Sequence, residues 1–172
     1  GESRLAPGVS QPRHLGLVAS YDQGPLHAAI SYANTENDAD LDPGAGVTAS
    51  SATAWTIGAA YDFKTFVLGA LYEKAERDVL GGDVESDYFR IAFMLPFGQH
   101  ELHLNYGWVD TDPSNAGAKQ YTLGYNYNIT KTTKVYAFYT VVDNESGGTF
   151  GFRTASPGAD NKSIAGGLRH NF

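Results

Sequence analysis

No cysteine occurs among the 172 residues, which excludes a disulfide framework, a thiolate nucleophile and any cysteine-ligated zinc or iron–sulfur centre. Methionine appears once and charged residues make up only 18%, so helix formers are scarce. No stretch reaches the roughly 18 to 20 consecutive apolar residues that a transmembrane helix needs. That rules out a helical membrane protein but not a membrane barrel, whose alternating strands average to a near-neutral hydropathy; the mean hydropathy here is -0.31. Basic runs are also missing. A formal charge of -7 and a pI near 5.0 argue against nucleic acid as a partner, because phosphate binding rests on clustered Lys and Arg. The opening residues, Gly1 to Gly8, lack the basic start and apolar stretch of a signal peptide, and the chain therefore reads as processed or incomplete.

What is abundant is glycine (20), tyrosine (11) and phenylalanine (9), the mixture of turn and strand formers found in β-proteins. Apolar residues alternate with polar ones in nine segments. Leu15, Leu17, Ala19 and Tyr21 share a face, as do Leu26, Ala28, Ile30 and Tyr32. Trp55, Ile57, Ala59, Tyr61 and Phe63 follow, then Phe66, Leu68, Ala70 and Tyr72. Phe89, Ile91, Phe93, Leu95 and Phe97 precede Leu102, Leu104, Tyr106 and Trp108. The last three runs hold Tyr121, Leu123, Tyr125, Tyr127 and Ile129; Val135, Ala137, Tyr139 and Val141; and Ile164, Gly166, Leu168, His170 and Phe172.

The opposite positions are polar or small, including Thr56, Gly58, Arg90, His103, Asn105, Thr122, Asn126 and Arg169. A soluble barrel would enclose the apolar face, and a membrane barrel would turn it to lipid. Two features favour the membrane. The apolar runs end in aromatic residues at both ends, as interface girdles do, and the connections alternate between short (22 to 25, 64 to 65, 98 to 99, 130 to 132) and long (33 to 53, 73 to 87, 109 to 119, 142 to 162). The short rim is then periplasmic. The last strand descends to it, and counting back, so does the first. Nine strands cannot close antiparallel, so the expected fold is an all-β antiparallel transmembrane barrel segment over residues 1–172, a partial barrel that needs more strands.

The last strand, Ser163-Ile164-Ala165-Gly166-Gly167-Leu168-Arg169-His170-Asn171-Phe172, resembles the closing strand of Gram-negative general porins of the beta-proteobacterial type. Tyr121 to Thr133 with Tyr136-Ala137-Phe138-Tyr139 looks like that family's penultimate hairpin, and Leu15 to Tyr21 with Gly24-Pro25 is similar to its middle strands. The resemblance implies a sixteen-stranded trimeric barrel of which these are the C-terminal nine strands, with the N-terminal half, its L-Y-G start and its pore-folded third loop absent. The implied partners are that N-terminal half, the other subunits of a homotrimer, membrane lipid, lipopolysaccharide and the outer-membrane assembly machinery.

The candidate pore-lining residues are Arg90, Lys134, Arg169, His103, Glu101, Asn105, Gln120 and Asn126, with Asp62 and Glu73 as further inward carboxylates. Rings of basic groups raise anion occupancy in a pore, so a weak anion preference is expected; Arg90 is the first candidate for a specific solute-binding role, and the plainer reading is that all of these are solvated wall residues of balanced charge. Phe172, Leu168 and Ile164 form the pattern of an assembly signal, or simply an edge strand ending on an interface aromatic. Asp38, Asp40 and Asp42 have a calcium-loop spacing, but Pro43 follows and Ala49 stands where a glutamate is required, so a hydrated loop is the better reading. No Ser-His-Asp order, HExxH or phosphate-cradling loop appears, and neither catalysis nor a cofactor or metal is expected. The expected function is passive diffusion of ions and small hydrophilic solutes. The alternatives are a small outer-membrane barrel with a structural or adhesive role through its loops, and, third, a soluble lipocalin-like carrier.

Overall fold

The computed structural model describes residues 13–36, 51–79, 82–112, 115–151 and 156–171. Nine strands form one sheet in chain order, each antiparallel to the next: β1 (Arg13–Gln23), β2 (Leu26–Glu36), β3 (Ser51–Asp62), β4 (Val67–Val79), β5 (Gly82–Phe97), β6 (His100–Thr111), β7 (Ala118–Asn128), β8 (Thr133–Asn144) and β9 (Asn161–His170). All nine segments expected from the period of two are strands. They run 10 to 16 residues, enough to cross a bilayer when tilted, which takes about 9 to 11.

Register keeps the two faces separate across the whole sheet, because directly opposed residues share a face. Ile57 opposes Tyr72, Tyr72 opposes Phe89, and Phe89 opposes Trp108. On the other side Asn105 opposes Thr122, which opposes Thr140 and then Ser163. No described residue covers the apolar face: Leu123 is 50% exposed and Ile164 81%. Such a surface is far larger than the few hundred Å² that a soluble monomer shows, and lipid is the solvent that matches it. Trp55, Phe93 and Tyr125 all lie on this face rather than in a shared interior.

Aromatic clusters edge the apolar face at both ends. Trp55 meets Tyr72 edge-on at 5.3 Å and Phe89 lies 4.4 Å from Trp108 toward one rim, while Phe63 stacks on Phe66 at 4.6 Å and Phe97 on His100 at 5.2 Å toward the other. The second rim carries the short turns. Gly24 and Gly98 open two-residue turns at φ 57° and 62°, the left-handed conformation that hairpin turns demand of that position and that glycine adopts without steric cost.

One expected loop is overturned. Residues 73–87 are not a long connection: β4 and β5 continue their ladder through Lys74↔Asp87 to Val79↔Gly82. The reversal of polarity along this stretch comes from an outward face that becomes Lys74, Glu76, Asp78, Asp83, Glu85 and Asp87, so the hairpin rises past the aromatic belt into a polar layer. Lys74 Nζ lies 2.9 Å from Glu85 and 3.8 Å from Glu76, and the Tyr72 hydroxyl donates to Asp87.

Candidate functional site

The hollows of about 450 to 700 Å³ are lined mainly by residues of the polar face. All eight residues expected to line a pore are on that face, with Asp62 and Glu73, in the rows Arg90↔Gly107↔Gln120, Asn105↔Thr122, and Glu101↔Asn126. They do not form one cluster. Glu101 gathers the largest group: Asn126 Nδ2 donates to it at 2.6 Å and Asn128 Nδ2 at 2.9 Å, with His103 Nε2 at 3.3 Å and Lys134 Nζ at 3.6 Å. The Lys134 charge is therefore largely spent on Glu101. Arg169 opposes Lys134 across the ladder, and its Nε donates to Asn171 at 3.1 Å.

Arg90 stands apart from this network. Its guanidinium lies 5.2 Å from the centre of the Tyr88 ring, a cation–π distance, and it makes no ion pair with a described residue. Arg77, Arg90, Lys134 and Arg169 on the polar strand face are matched by Asp22, Asp62, Glu73 and Glu101 on the same face.

Four features escaped the sequence reading. Tyr136 and Phe138 sit on the polar face, opposing Asn126 and Gly124, with their rings nearly parallel at 7° and 6.4 Å apart. The signal was present in the strict alternation Lys134, Tyr136, Phe138, Thr140, but the weight of Val135 to Val141 on the other face obscured it. Glycines make room for the rings: a Cβ on Gly167 would come within 2.6 Å of the Tyr136 hydroxyl. The third is Asn144, only 8% exposed, whose Oδ1 accepts from Phe150 N at 2.9 Å while Nδ2 donates to the carbonyls of Phe150 and Ala159 at 2.9 and 2.8 Å. The fourth is the fold of the β8–β9 connection that Asn144 ties down. Gly147, Thr149 and Phe150 share a hollow of about 590 Å³ with Glu73, Tyr88 and Gln120 of the polar wall, so this loop leans over the mouth on the long-loop side.

A family model for Gram-negative porins matches residues 2–147. The chain belongs to the Gram-negative porin family. This porin chain is 28% identical over 170 residues to outer membrane porin protein 32 of Delftia acidovorans, covering 93% of itself and 46% of that protein, in keeping with the beta-proteobacterial resemblance of its last strand. It spans about half the length of that relative. Two solved structures of the outer-membrane protein OmpT of Vibrio cholerae share its fold. One, folded in vitro and in trimer form, superposes with a TM-score of 0.72 at 17% identity over 92% of this chain and 56% of the other. The second, expressed in the outer membrane, gives 0.71 at 16% identity, over 93% and 56%.

Of the residues expected to form an assembly signal, Ile164 and Leu168 are on the apolar face of the edge strand β9, 81% and 63% exposed. Phe172 lies outside the described residues, as do Asp38, Asp40 and Asp42. No group of described residues has the composition of a metal centre. Family membership points to a channel rather than an enzyme.

Proposed function

We propose that this chain forms the C-terminal wall of a water-filled outer-membrane channel, the last nine strands of a sixteen-stranded barrel in a homotrimer, for passive diffusion of ions and small hydrophilic solutes. The observation that carries this is the sheet's two-sidedness: one continuous apolar face belted by aromatics at both rims, backed by one continuous polar face against which no further described element packs. In an eight-stranded barrel the interior is packed by side chains, whereas sixteen strands leave an aqueous lumen. The polar face here is built largely of Gly, Ala, Ser, Thr and Asn, such as Gly58, Ala92 and Thr122, which suits the wide lumen and disfavours the small adhesive barrel.

Both edges of the sheet support further strands. Among the described residues β1 pairs only with β2 and β9 only with β8, and unpaired backbone groups in lipid cost several kcal/mol each. An N-terminal half of the same barrel satisfies both edges at once, and the trimer form of the OmpT neighbour agrees with a homotrimer. Lipid contacts the apolar face, lipopolysaccharide the rim above it, and the assembly machinery reads β9 through Ile164, Leu168 and Phe172.

Arg90, Lys134, Arg169, His103, Glu101, Asn105, Gln120 and Asn126 then line the lumen. With Lys134 held by Glu101, Arg77, Arg90 and Arg169 are the inward bases with no ion pair among the described residues, and a weak anion preference follows. Reconstitution of the assembled barrel in planar bilayers tests the reading: stepwise currents in KCl support it, and a folded, membrane-inserted protein that passes no current refutes it.

A further inference from the structure

The inner wall carries a feature that simple sieving does not require. Tyr136 and Phe138 present parallel, solvent-accessible rings, 37% and 38% exposed, on a face built mostly of polar and small residues. Their placement has been made possible by small neighbours: Phe138 opposes Gly124 and Tyr136 opposes Gly167. Phe138 shares one hollow of about 450 Å³ with Arg90, Asn105, Gln120, Thr122 and Thr140. An apolar ring face at one end, amides and hydroxyls between, and an unpaired guanidinium at the other make three different demands on a ligand.

We propose that this hollow is a solute subsite for acidic sugars, that is, short oligosaccharides carrying a carboxylate. A pyranose ring offers an apolar C–H face to Phe138, with Tyr136 extending the platform along the wall. Its hydroxyls find the Asn105 amide, which has no hydrogen-bond partner among the described residues, and the Thr122 and Thr140 hydroxyls, which otherwise bond each other at 2.9 Å. The carboxylate takes the Arg90 fork, a planar donor set suited to bidentate contact. A neutral sugar leaves the guanidinium without an anion, and a plain aromatic acid leaves the amides and hydroxyls unused, so the acidic sugar is the class that uses all three parts. Desolvating little and binding weakly suits a diffusion channel, where a site must also release its solute.

The inference rests on the channel reading, and its test separates the two. Digalacturonate is added to single channels conducting KCl. Concentration-dependent interruptions of the current are expected, with half-block about tenfold higher for Phe138→Ala and for Arg90→Gln, corresponding to about 1.4 kcal/mol each. Tyr139→Phe, on the opposite face, leaves the block unchanged. Maltose and benzoate block more weakly; equal block by maltose refutes the role of Arg90, and equal block by benzoate refutes the sugar assignment. A channel that conducts KCl with no block by digalacturonate overturns the subsite and leaves the channel intact. If no KCl current flows, equilibrium dialysis of digalacturonate against the detergent-solubilised protein decides the subsite by itself: binding that Phe138→Ala and Arg90→Gln weaken supports it, and absence of binding overturns it.

Discussion

Replacing Asn144 by alanine tests whether a single buried amide holds the β8–β9 loop over the mouth. Three hydrogen bonds disappear, those to Phe150 N, Phe150 O and Ala159 O, and three backbone groups lose their partner next to a side chain that is 8% exposed. At about 1 kcal/mol net per bond the closed loop loses about 3 kcal/mol. A factor of ten per roughly 1.4 kcal/mol turns this into an opening equilibrium on the order of 100-fold larger. The loop keeps other ties, since Glu145 N donates to Gly117 O at 3.0 Å, Gly147 N to Asn115 O at 2.7 Å and Gly158 N to Gly148 O at 2.9 Å, so the effect is confined to residues near Phe150. Hydrogen exchange of the Phe150 amide reads it directly. Acceleration of about 100-fold at Phe150, with the strand amides of β5 to β7 unchanged, is the expected result. Asn144→Asp keeps the acceptor for Phe150 N but sets a carboxylate oxygen against the carbonyls of Phe150 and Ala159, so it accelerates exchange at least as much as alanine. An exchange rate at Phe150 within threefold of the wild type refutes the reasoning and makes Asn144 a passenger in a loop fastened elsewhere.

Leu123→Arg puts a charge on the lipid face in the middle of β7, where it costs about 2 to 4 kcal/mol at the bilayer midplane; urea unfolding in vesicles should show that loss, while Thr122→Arg on the neighbouring inward position should not. Arg90→Gln with Arg169→Gln shifts the reversal potential in a KCl gradient toward cations, and an unchanged potential means that selectivity is set by other parts of the barrel. Glu101→Gln releases Lys134 and shifts the potential the opposite way; the sign of the change, read in the same bilayers, checks the pairing at 3.6 Å. Gly167→Ala forces the Tyr136 ring off the wall, since the new methyl group would lie 2.6 Å from the hydroxyl, and single-channel conductance should fall as the ring turns into the lumen; conductance equal to the wild type would show that the ring is accommodated elsewhere.

The strands were legible because a half-buried sheet obeys a period of two whatever surrounds it. Alternate residues from Leu15 to Tyr21 and from Tyr121 to Tyr127 could be placed on one face from alternation alone, and short connections followed at 22 to 25 and 98 to 99, the first of which the structure tightens to Gly24-Pro25. The ends were less legible. Above the membrane the outward face stops being apolar, so alternation between Lys74 and Asp87 vanishes from the sequence even though the ladder of backbone hydrogen bonds continues. A period in hydropathy reports the solvent, not the strand. The site was legible as a face but not as contacts. That Glu101 and Lys134 are neighbours depends on strands two positions apart in the sheet, and nothing in the local sequence of either says so. Asn144 could not be distinguished from any other loop asparagine, because its burial is created by the return of Phe150 and Ala159.

The distribution of charge shows how an acidic chain can still favour an anion. Counting charges along the chain treats all of them alike, but the sheet sorts them. Glu76, Asp78, Asp83, Glu85, Asp87 and Asp110 are all on the outward side of β4 to β6, facing the polar layer above the aromatic belt. They account for much of the excess behind the -7. They stand in the aqueous layer above the belt, where salt screens exposed charges over a Debye length of about 8 Å. On the inward side the charges balance in number but not in freedom. Glu101 is saturated by two amides, an imidazole and Lys134, and Asp62 Oδ1 accepts from Lys64 N at 2.6 Å within the short turn. Arg90 has only the face of an aromatic ring. A permeating ion responds to the groups that still have an unsatisfied field to offer, and on the proposed lumen wall these are the guanidiniums of Arg77, Arg90 and Arg169.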